Sequence, residues 1–176
     1  RNMWFSDLWE IKGTSQAILS AKAGRDRNAS FPLEIPFRLV NMYSAEGDTV
    51  LDPFVGLGTT NIACMITNRN SIGVDIDDEI AKIALSNMGQ NMEGLNKIID
   101  DRINRHLEFI NSQPDEEKLK CYSNAPHGFL VKTKQETAIE IEQLKEITKK
   151  KNVYICKHGK YVPTEQPLQL TMNLQS

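Results

Sequence analysis

Paired cysteines and long apolar runs are both missing from this sequence. Only three of the 176 residues are cysteine, and none forms a CxxC pair, which argues against a disulfide framework and a zinc site. No apolar run approaches the roughly 20 residues that a membrane helix needs, and the N-terminal residues lack a signal-peptide pattern. The three histidines have no metal-ligand spacing. We therefore expect a cytoplasmic protein without a metal site and without a membrane partner.

The chain carries little net charge, but the charge is unevenly distributed. A total of −2 arises from 21 basic and 23 acidic side chains, and 40% hydrophobic content excludes wholesale disorder. Residues 45–100 carry three basic and nine acidic side chains, whereas 143–161 hold six lysines against one glutamate. The lysine-rich stretch is either a solvated surface or a contact with phosphates.

Sequence patterns divide the chain into three predicted segments. Residues 1–30 are a loop-rich lead-in, 31–112 an α/β core, and 113–176 a C-terminal appendage. The appendage has apolar runs at 129–131 and 153–155, and the second is followed by a turn-like stretch at 157–160 and by Tyr161-Val162, which predicts a small β hairpin. Residues 137–148 fit neither the helical nor the strand period. Helices are predicted from Pro36 to about Tyr43 and over 59–68, 77–88 and 95–110.

A strand, a glycine-rich loop, a helix and a second strand follow one another over residues 49–75. Each strand ends in an acid, and Asp75 comes 23 residues after Asp52, close to the roughly 20-residue offset at which an acid reaches a ribose diol in such folds. Gly56 and Gly58 allow a ligand to approach the backbone. The loop lacks the third glycine of GxGxxG and the lysine of a phosphate-binding loop. A nucleoside ligand with a ribose diol is predicted.

Four stretches resemble the DNA amino-methyltransferases, which methylate adenine N6 or cytosine N4. DPFVGLGTT, residues 52–60, looks like their DPFxGxGTT signature, and SIGVDID, residues 71–77, resembles the acidic motif that follows it. NASFPLEIPFRL, residues 28–39, is similar to the segment that precedes the signature in the permuted β-class, except that Asn28 replaces a frequent histidine. DLWEI, residues 7–11, matches a stretch still further upstream.

The resemblance implies a Rossmann-like α/β methyltransferase fold, incomplete in this chain, and S-adenosylmethionine as cofactor. Asp52 and the loop from Gly56 to Gly58 would face the methionine moiety, and Asp75 would accept hydrogen bonds from the ribose hydroxyls. For Phe31 and Phe54, packing in the core is the alternative to a ligand contact. The predicted cofactor-binding residues are Ser30, Phe31, Pro32, Asp52, Pro53, Phe54, Gly56, Gly58, Thr59, Thr60, Asp75 and Ile76.

The catalytic motif of that family, (D/N/S)PP(Y/F/W), has no counterpart in the sequence. No Pro-Pro pair occurs, and the nearest string, Asn124-Ala125-Pro126-His127, favours a turn. In the β-class this motif precedes the cofactor segment. A chain that starts at Arg1 is therefore expected to be the C-terminal, cofactor-binding half, either as a fragment, a truncated gene, or one subunit of a split enzyme whose partner chain carries the motif. No catalytic residue is assigned.

These expectations lead to one predicted function and leave two alternatives open. The predicted function is site-specific methyl transfer from S-adenosylmethionine to an exocyclic amine of double-stranded DNA, with this chain holding the cofactor. One rival is a catalytically inert cofactor-binding or regulatory subunit. The other is an RNA or protein methyltransferase that shares the cofactor loop.

Overall fold

The computed structural model describes residues 8–11, 31–89 and 92–163. Within them the chain forms two compact units. The first extends to Leu95 and includes 144–158; the second comprises 96–143 and the residues from Gly159 onward. This division differs from the predicted boundary between 112 and 113, because a continuous helix runs through Leu95 and a hairpin contributes to both units. The segmentation by sequence pattern stays a prediction.

The first unit is built around a parallel two-stranded sheet. Strand β1, Thr49–Asp52, pairs with β2, Asn70–Gly73, in a register that sets Leu51 beside Ile72 and Asp52 beside Gly73. Between the two strands runs helix α2, Thr59–Ile66, which is almost entirely buried. The apolar residues of α2 form the centre of this unit, and Ile62, Ala63 and Cys64 are at most 1% exposed.

Helices α1 and α3 complete the first unit. Helix α1, Glu34–Tyr43, begins two residues before Pro36, and the proline is tolerated because first-turn N–H groups have no partner within a helix. Helix α3, Asp78–Met88, is capped by the Asp77 carboxylate, which accepts a hydrogen bond from the Glu79 N–H. The helices predicted over 59–68 and 77–88 are therefore confirmed.

Helix α4, Met92–Asn111, confirms the predicted apolar stripe. Its buried residues recur every three or four positions, as one face of a helix requires. They are Leu95, Ile99, Ile103, Leu107 and Ile110. After a short helix α5, Asp115–Lys118, strands β3, Tyr122–Ser123, and β4, Leu130–Val131, form an antiparallel pair. Leu130 and Val131, which belong to the apolar run 129–131, thus pair with β3.

A hairpin forms in this region, but its turn precedes the apolar run 153–155, whereas the sequence pattern placed a turn after it at 157–160. Strands β5, Glu142–Lys150, and β6, Val153–Lys160, form a two-stranded sheet around the turn at Lys151 and Asn152. The ambiguous stretch 137–148 is therefore a strand from Glu142 onward. None of the helices described in the structure is long and apolar enough to cross a bilayer.

Candidate functional site

The carboxyl ends of β1 and β2 bring two loops side by side. Backbone pairing continues beyond the strands, since the Val74 N–H donates to the Asp52 carbonyl at 2.9 Å and the Val55 N–H donates to the Val74 carbonyl at 2.9 Å. Open α/β sheets bind ligands at this edge. The sequence predicted both loops here, and the pairing explains why they meet.

Asp75 joins the two loops through one carboxylate oxygen and orders its own loop through the other. Its Oδ2 accepts a hydrogen bond from the Gly56 N–H at 3.1 Å, and its Oδ1 accepts one from the Asp77 N–H at 3.0 Å. An ionised carboxylate has about four lone-pair sites, so each oxygen keeps acceptor capacity for a ligand hydroxyl. The side chain is only half-buried, which leaves it accessible. Asp75 therefore shapes the glycine loop and can also bind a diol.

The glycine loop adopts backbone conformations that favour glycine. Gly56 has φ +50° and Gly58 has φ +84°. A Cβ on Gly58 would lie 3.2 Å from the Ala84 Cβ and 3.3 Å from the Ala84 carbonyl oxygen, so α3 packs directly against the loop. Gly58 is also the N-cap of α2, whose first turn offers N–H donors at this edge. Thr60 is half-buried, whereas Thr59 is buried in the core.

Asp52 organises the start of the same loop. Its Oδ1 accepts a hydrogen bond from the Phe54 N–H at 3.0 Å, which folds the chain back at Pro53. Phe54 is 86% exposed and Ile76 is fully exposed. Phe54 therefore lies outside the core of the described residues, and its contact with a ligand stays a prediction. Two large apolar side chains thus border the loops at the carboxyl edge without being covered by the described part of the chain.

The upstream part of the predicted site is described only in part. Phe31 is 43% exposed and Pro32 is half-buried, immediately before α1. The Trp9 ring lies 5.2 Å from the Arg38 Cζ of α1, so the DLWEI stretch contacts the first unit. Ser30 and Asn28 lie outside the described residues. Ser30 therefore stays a predicted cofactor-binding residue.

Sequence reasoning missed three residues that hold these loops. A Cβ on Gly73 would lie 2.5 Å from the Val55 Cγ2, so β2 must carry a glycine where the first loop crosses it. The Asn87 Nδ2 of α3 donates to the Leu57 carbonyl at 3.0 Å, and the Asn61 Nδ2 of α2 donates to the Ser71 Oγ at 3.0 Å. Gly73 lies inside the acidic motif and was detectable there. The asparagines carry no local signal, because their partners lie on other elements.

Asn124 confirms the turn expected for the nearest catalytic-like string. The side chain is 1% exposed, and its Nδ2 donates to the carbonyls of Glu136 and Ile139 at 2.8 Å each. Its Oδ1 accepts a hydrogen bond from the His127 N–H at 2.9 Å. With its donors and acceptor used inside the second unit, Asn124 stabilises a turn.

Nucleophilic and metal chemistry find no support in the described residues. Burial raises the pKa of the Cys64 thiol to about 11, so Cys64 is a protonated core residue, as its position in α2 suggested. Burial also raises the pKa of Cys156. In the described ranges, no group of three or more histidine, cysteine, aspartate or glutamate side chains could hold a metal ion.

Comparisons with known proteins match the loop-bearing part of the chain. Residues 1–86 match the family N6_N4_Mtase, described as DNA methylase. The Type II methyltransferase M.MthZI of Methanothermobacter thermautotrophicus is 42% identical over 153 residues, which cover 86% of this chain and 41% of that protein. The Type II methyltransferase M.MjaI of Methanocaldococcus jannaschii is 44% identical over 111 residues, which cover 63% of this chain and 34% of that protein. The chain thus spans well under half the length of these relatives.

One solved structure is similar over a shorter stretch. It is described as a DNA modification methylase from Thermus thermophilus in complex with S-adenosyl-L-methionine, and it is 42% identical to this chain. The match covers 38% of this chain and 25% of that one, with a TM-score of 0.30. A score this low allows no comparison of the two folds.

Proposed function

We propose that this chain, which matches the DNA methylase family over residues 1–86, is the cofactor-binding part of a site-specific DNA amino-methyltransferase. The enzyme would transfer a methyl group from S-adenosylmethionine to an exocyclic amine, cytosine N4 or adenine N6. The family description favours DNA over RNA or protein as the substrate. Double-stranded DNA is the proposed partner.

The observation that carries this proposal is the hydrogen bond between the two loops. The Gly56 N–H and the Asp75 Oδ2 are 3.1 Å apart, so the signature loop and the acid that follows β2 form one continuous edge. Asp75 keeps lone pairs for a ribose diol, and the positive φ angles of the glycines leave room for a close ligand. A nucleoside with a non-phosphate extension fits these features.

The residues of this edge divide naturally between the parts of the cofactor. Asp75 would bind the ribose hydroxyls, with Ile76 against the adenine, while Asp52 and the loop from Gly56 to Gly58 would face the methionine moiety. Phe54 would pack beside the sulfonium. S-adenosylmethionine would supply the electrophilic methyl group. The other proposed contacts are Phe31, Pro32, Pro53, Thr59 and Thr60, together with Ser30 outside the described residues; buried Thr59 would contribute through its backbone.

Binding of the cofactor by the chain is directly measurable. Isothermal titration of the folded 176-residue protein with S-adenosylmethionine is expected to give one saturable site per chain. Adenosine triphosphate is the matched control, since it shares the adenosine but replaces the methionine by phosphates that the loop has no lysine to bind. No binding of S-adenosylmethionine by a protein with helical circular dichroism would contradict the cofactor assignment.

We also propose that the sheet is Rossmann-like and contains more strands than β1 and β2. Leu51 and Ile72 are paired neighbours and Val74 follows two residues later, so the three belong to one face of the sheet. They are 62%, 55% and 51% exposed, although parallel sheets normally bury both faces. We infer that further polypeptide, in the same protein or in a partner chain, covers this face and carries the catalytic (D/N/S)PP(Y/F/W) motif.

Substitution of exposed Ile72 and of buried Ile62 tests whether the sheet face with Leu51, Ile72 and Val74 is exposed to solvent in this chain. Ile72→Thr is expected to change the free energy of unfolding by no more than about 0.5 kcal/mol, because the side chain already contacts water. Ile62→Thr, in the buried face of α2, is expected to cost about 2 kcal/mol or more through lost packing and a buried hydroxyl. Urea denaturation measures both. Equal costs would contradict the open face.

A further inference from the structure

The β5–β6 hairpin concentrates positive charge in a protein of net charge −2. Residues 142–160 contain six lysines and two glutamates. One lysine is neutralised within the hairpin, since the Lys157 Nζ lies 2.6 Å from the Glu146 Oε2. Lys149, Lys150 and Lys151 are consecutive at the turn, and all three are exposed. The tip of the hairpin is therefore a compact cluster of cations.

Two exposed lysines elsewhere in the chain are paired with a neighbouring carboxylate. Lys82 pairs with Glu79 and Lys120 with Glu117, each at 2.6 Å and within one helical turn or its continuation. Among the described residues, no carboxylate forms an ion pair with Lys149, Lys150 or Lys151. Three adjacent ammonium groups repel one another, and a polyanion with regularly spaced charges relieves that repulsion.

The hairpin is fixed to the rest of the first unit. The His158 Nε2 lies 2.6 Å from the Met65 carbonyl at the end of α2. The Tyr154 hydroxyl lies against Gly89, where an added Cβ would be only 2.6 Å away. The Lys149 Nζ lies 5.5 Å from the centroid of the Tyr154 ring. Lys149, Lys150 and Lys151 therefore lie on a two-stranded element that is anchored by contacts with α2 and Gly89.

A groove of about 590 Å³ runs beside the same hairpin. Lys145, Lys149 and Glu146, whose carboxylate is paired with Lys157, line it from β5, and Met92 lines it from the start of α4. The cationic surface thus continues from the turn along one strand. A two-stranded β ribbon of this kind fits the major groove of duplex DNA, where lysines reach the flanking phosphates.

We propose that the β5–β6 hairpin contacts the phosphate backbone of duplex DNA through Lys149, Lys150 and Lys151. This inference rests on the proposed function, because it assigns the DNA-contacting element of the same enzyme. Phosphate contacts position a protein on DNA without reading its sequence. The hairpin is therefore expected to supply affinity and orientation, with base recognition left to other residues.

Salt-dependent DNA binding tests the proposal. Fluorescence anisotropy with a duplex of about 20 base pairs, titrated between roughly 50 and 200 mM salt, compares wild type with the triple variant K149Q/K150Q/K151Q. Each lost phosphate contact lowers the log–log salt slope by about 0.9, which corresponds to roughly eightfold in affinity at about 0.1 M salt. The triple variant is expected to lose about 2.7 units of slope and roughly 500-fold in affinity at about 0.1 M salt. The single variant Lys150→Gln is expected to lose about one unit of the log–log salt slope.

The matched control removes the same charge elsewhere. The variant K82Q/K97Q/K134Q lowers the net charge by the same amount on exposed sites of other elements and is expected to keep its affinity within about twofold. Equal losses in the two triple variants would overturn the proposal, and so would a wild type that binds no DNA at about 50 mM salt. Thermal unfolding verifies that each variant is folded.

Titration with S-adenosylmethionine separates this inference from the function on which it rests. Both triple variants are expected to bind the cofactor like wild type. A wild type that binds the cofactor but not DNA refutes the hairpin contact alone. A wild type that binds DNA through the hairpin but not the cofactor refutes the proposed function and leaves the contact standing.

Discussion

Asp75→Ala is expected to weaken S-adenosylmethionine binding by at least about 100-fold. Hydrogen bonds to a charged acceptor contribute about 1.5–3 kcal/mol each, so two bonds to a ribose diol together exceed the roughly 2.7 kcal/mol that 100-fold represents. The change also removes the acceptor that holds the Gly56 N–H at 3.1 Å, which loosens the glycine loop. Isothermal titration measures the affinity.

The control for Asp75→Ala is Asp78→Ala. Asp78 is exposed in the first turn of α3 and carries the same charge three residues away. Its loss is expected to change the affinity by less than about threefold, since an exposed charge at that distance is largely screened. Similar losses in both variants would show that Asp75 acts only through the net charge of the site.

A cofactor analogue separates the two roles of Asp75. A 2′,3′-dideoxyribose analogue lacks the hydroxyls and is expected to bind wild type about as weakly as Asp75→Ala binds S-adenosylmethionine. The Asp75→Ala variant is expected to bind both compounds alike. If the variant still prefers the intact ribose by a large factor, the diol is bound elsewhere and Asp75 only shapes the loop.

Gly58→Ala is expected to destabilise the protein by about 2–4 kcal/mol, through left-handed backbone strain of about 1–2 kcal/mol and a comparable packing cost. Gly58 has φ +84°, and a Cβ there would lie 3.2–3.4 Å from three atoms of Ala84. Since α3 and the loop would have to separate, S-adenosylmethionine binding is expected to fall as well. Urea denaturation and titration measure the two effects.

Gly47 offers a control with the same strain and no clash. Its φ is +82°, and no atom of the described residues lies within 4 Å of an added Cβ. Gly47→Ala is therefore expected to cost only the strain of about 1–2 kcal/mol and to leave cofactor affinity unchanged. Equal destabilisation at the two glycines would show that the approach of α3 to the loop contributes nothing.

Local patterns predicted the elements that carry their own periodicity. The apolar stripe from Leu95 to Ile110 identified α4, and the alternation of apolar runs with glycine turns identified β1, α2 and β2. The stretch 137–148 was undecidable, because its apolar positions follow neither period until pairing with β6 makes it a strand from Glu142. Strand pairing is a long-range property that no local window contains.

Some residues of the candidate site were likewise predictable from local sequence, and others were not. Asp52, the glycines and Asp75 were predicted because a loop that must approach a ligand needs particular residue types at particular positions. Asn87 and Asn61 were missed. Asn87 donates to the Leu57 carbonyl from α3 and Asn61 donates to the Ser71 Oγ from α2, and each contact joins two different elements.

By itself the sequence determined the resemblance to the DNA amino-methyltransferases, the strand–loop–helix–strand order, the acids at the strand ends and the clustering of lysines. Only the tertiary structure decided that Asp75 holds the glycine loop through the Gly56 N–H, that Phe54 and Ile76 are exposed, and that one face of the sheet is open. The physical reason is the range of the interactions. Backbone preferences act over a few residues, whereas exposure and hydrogen-bond partners depend on which distant elements pack together.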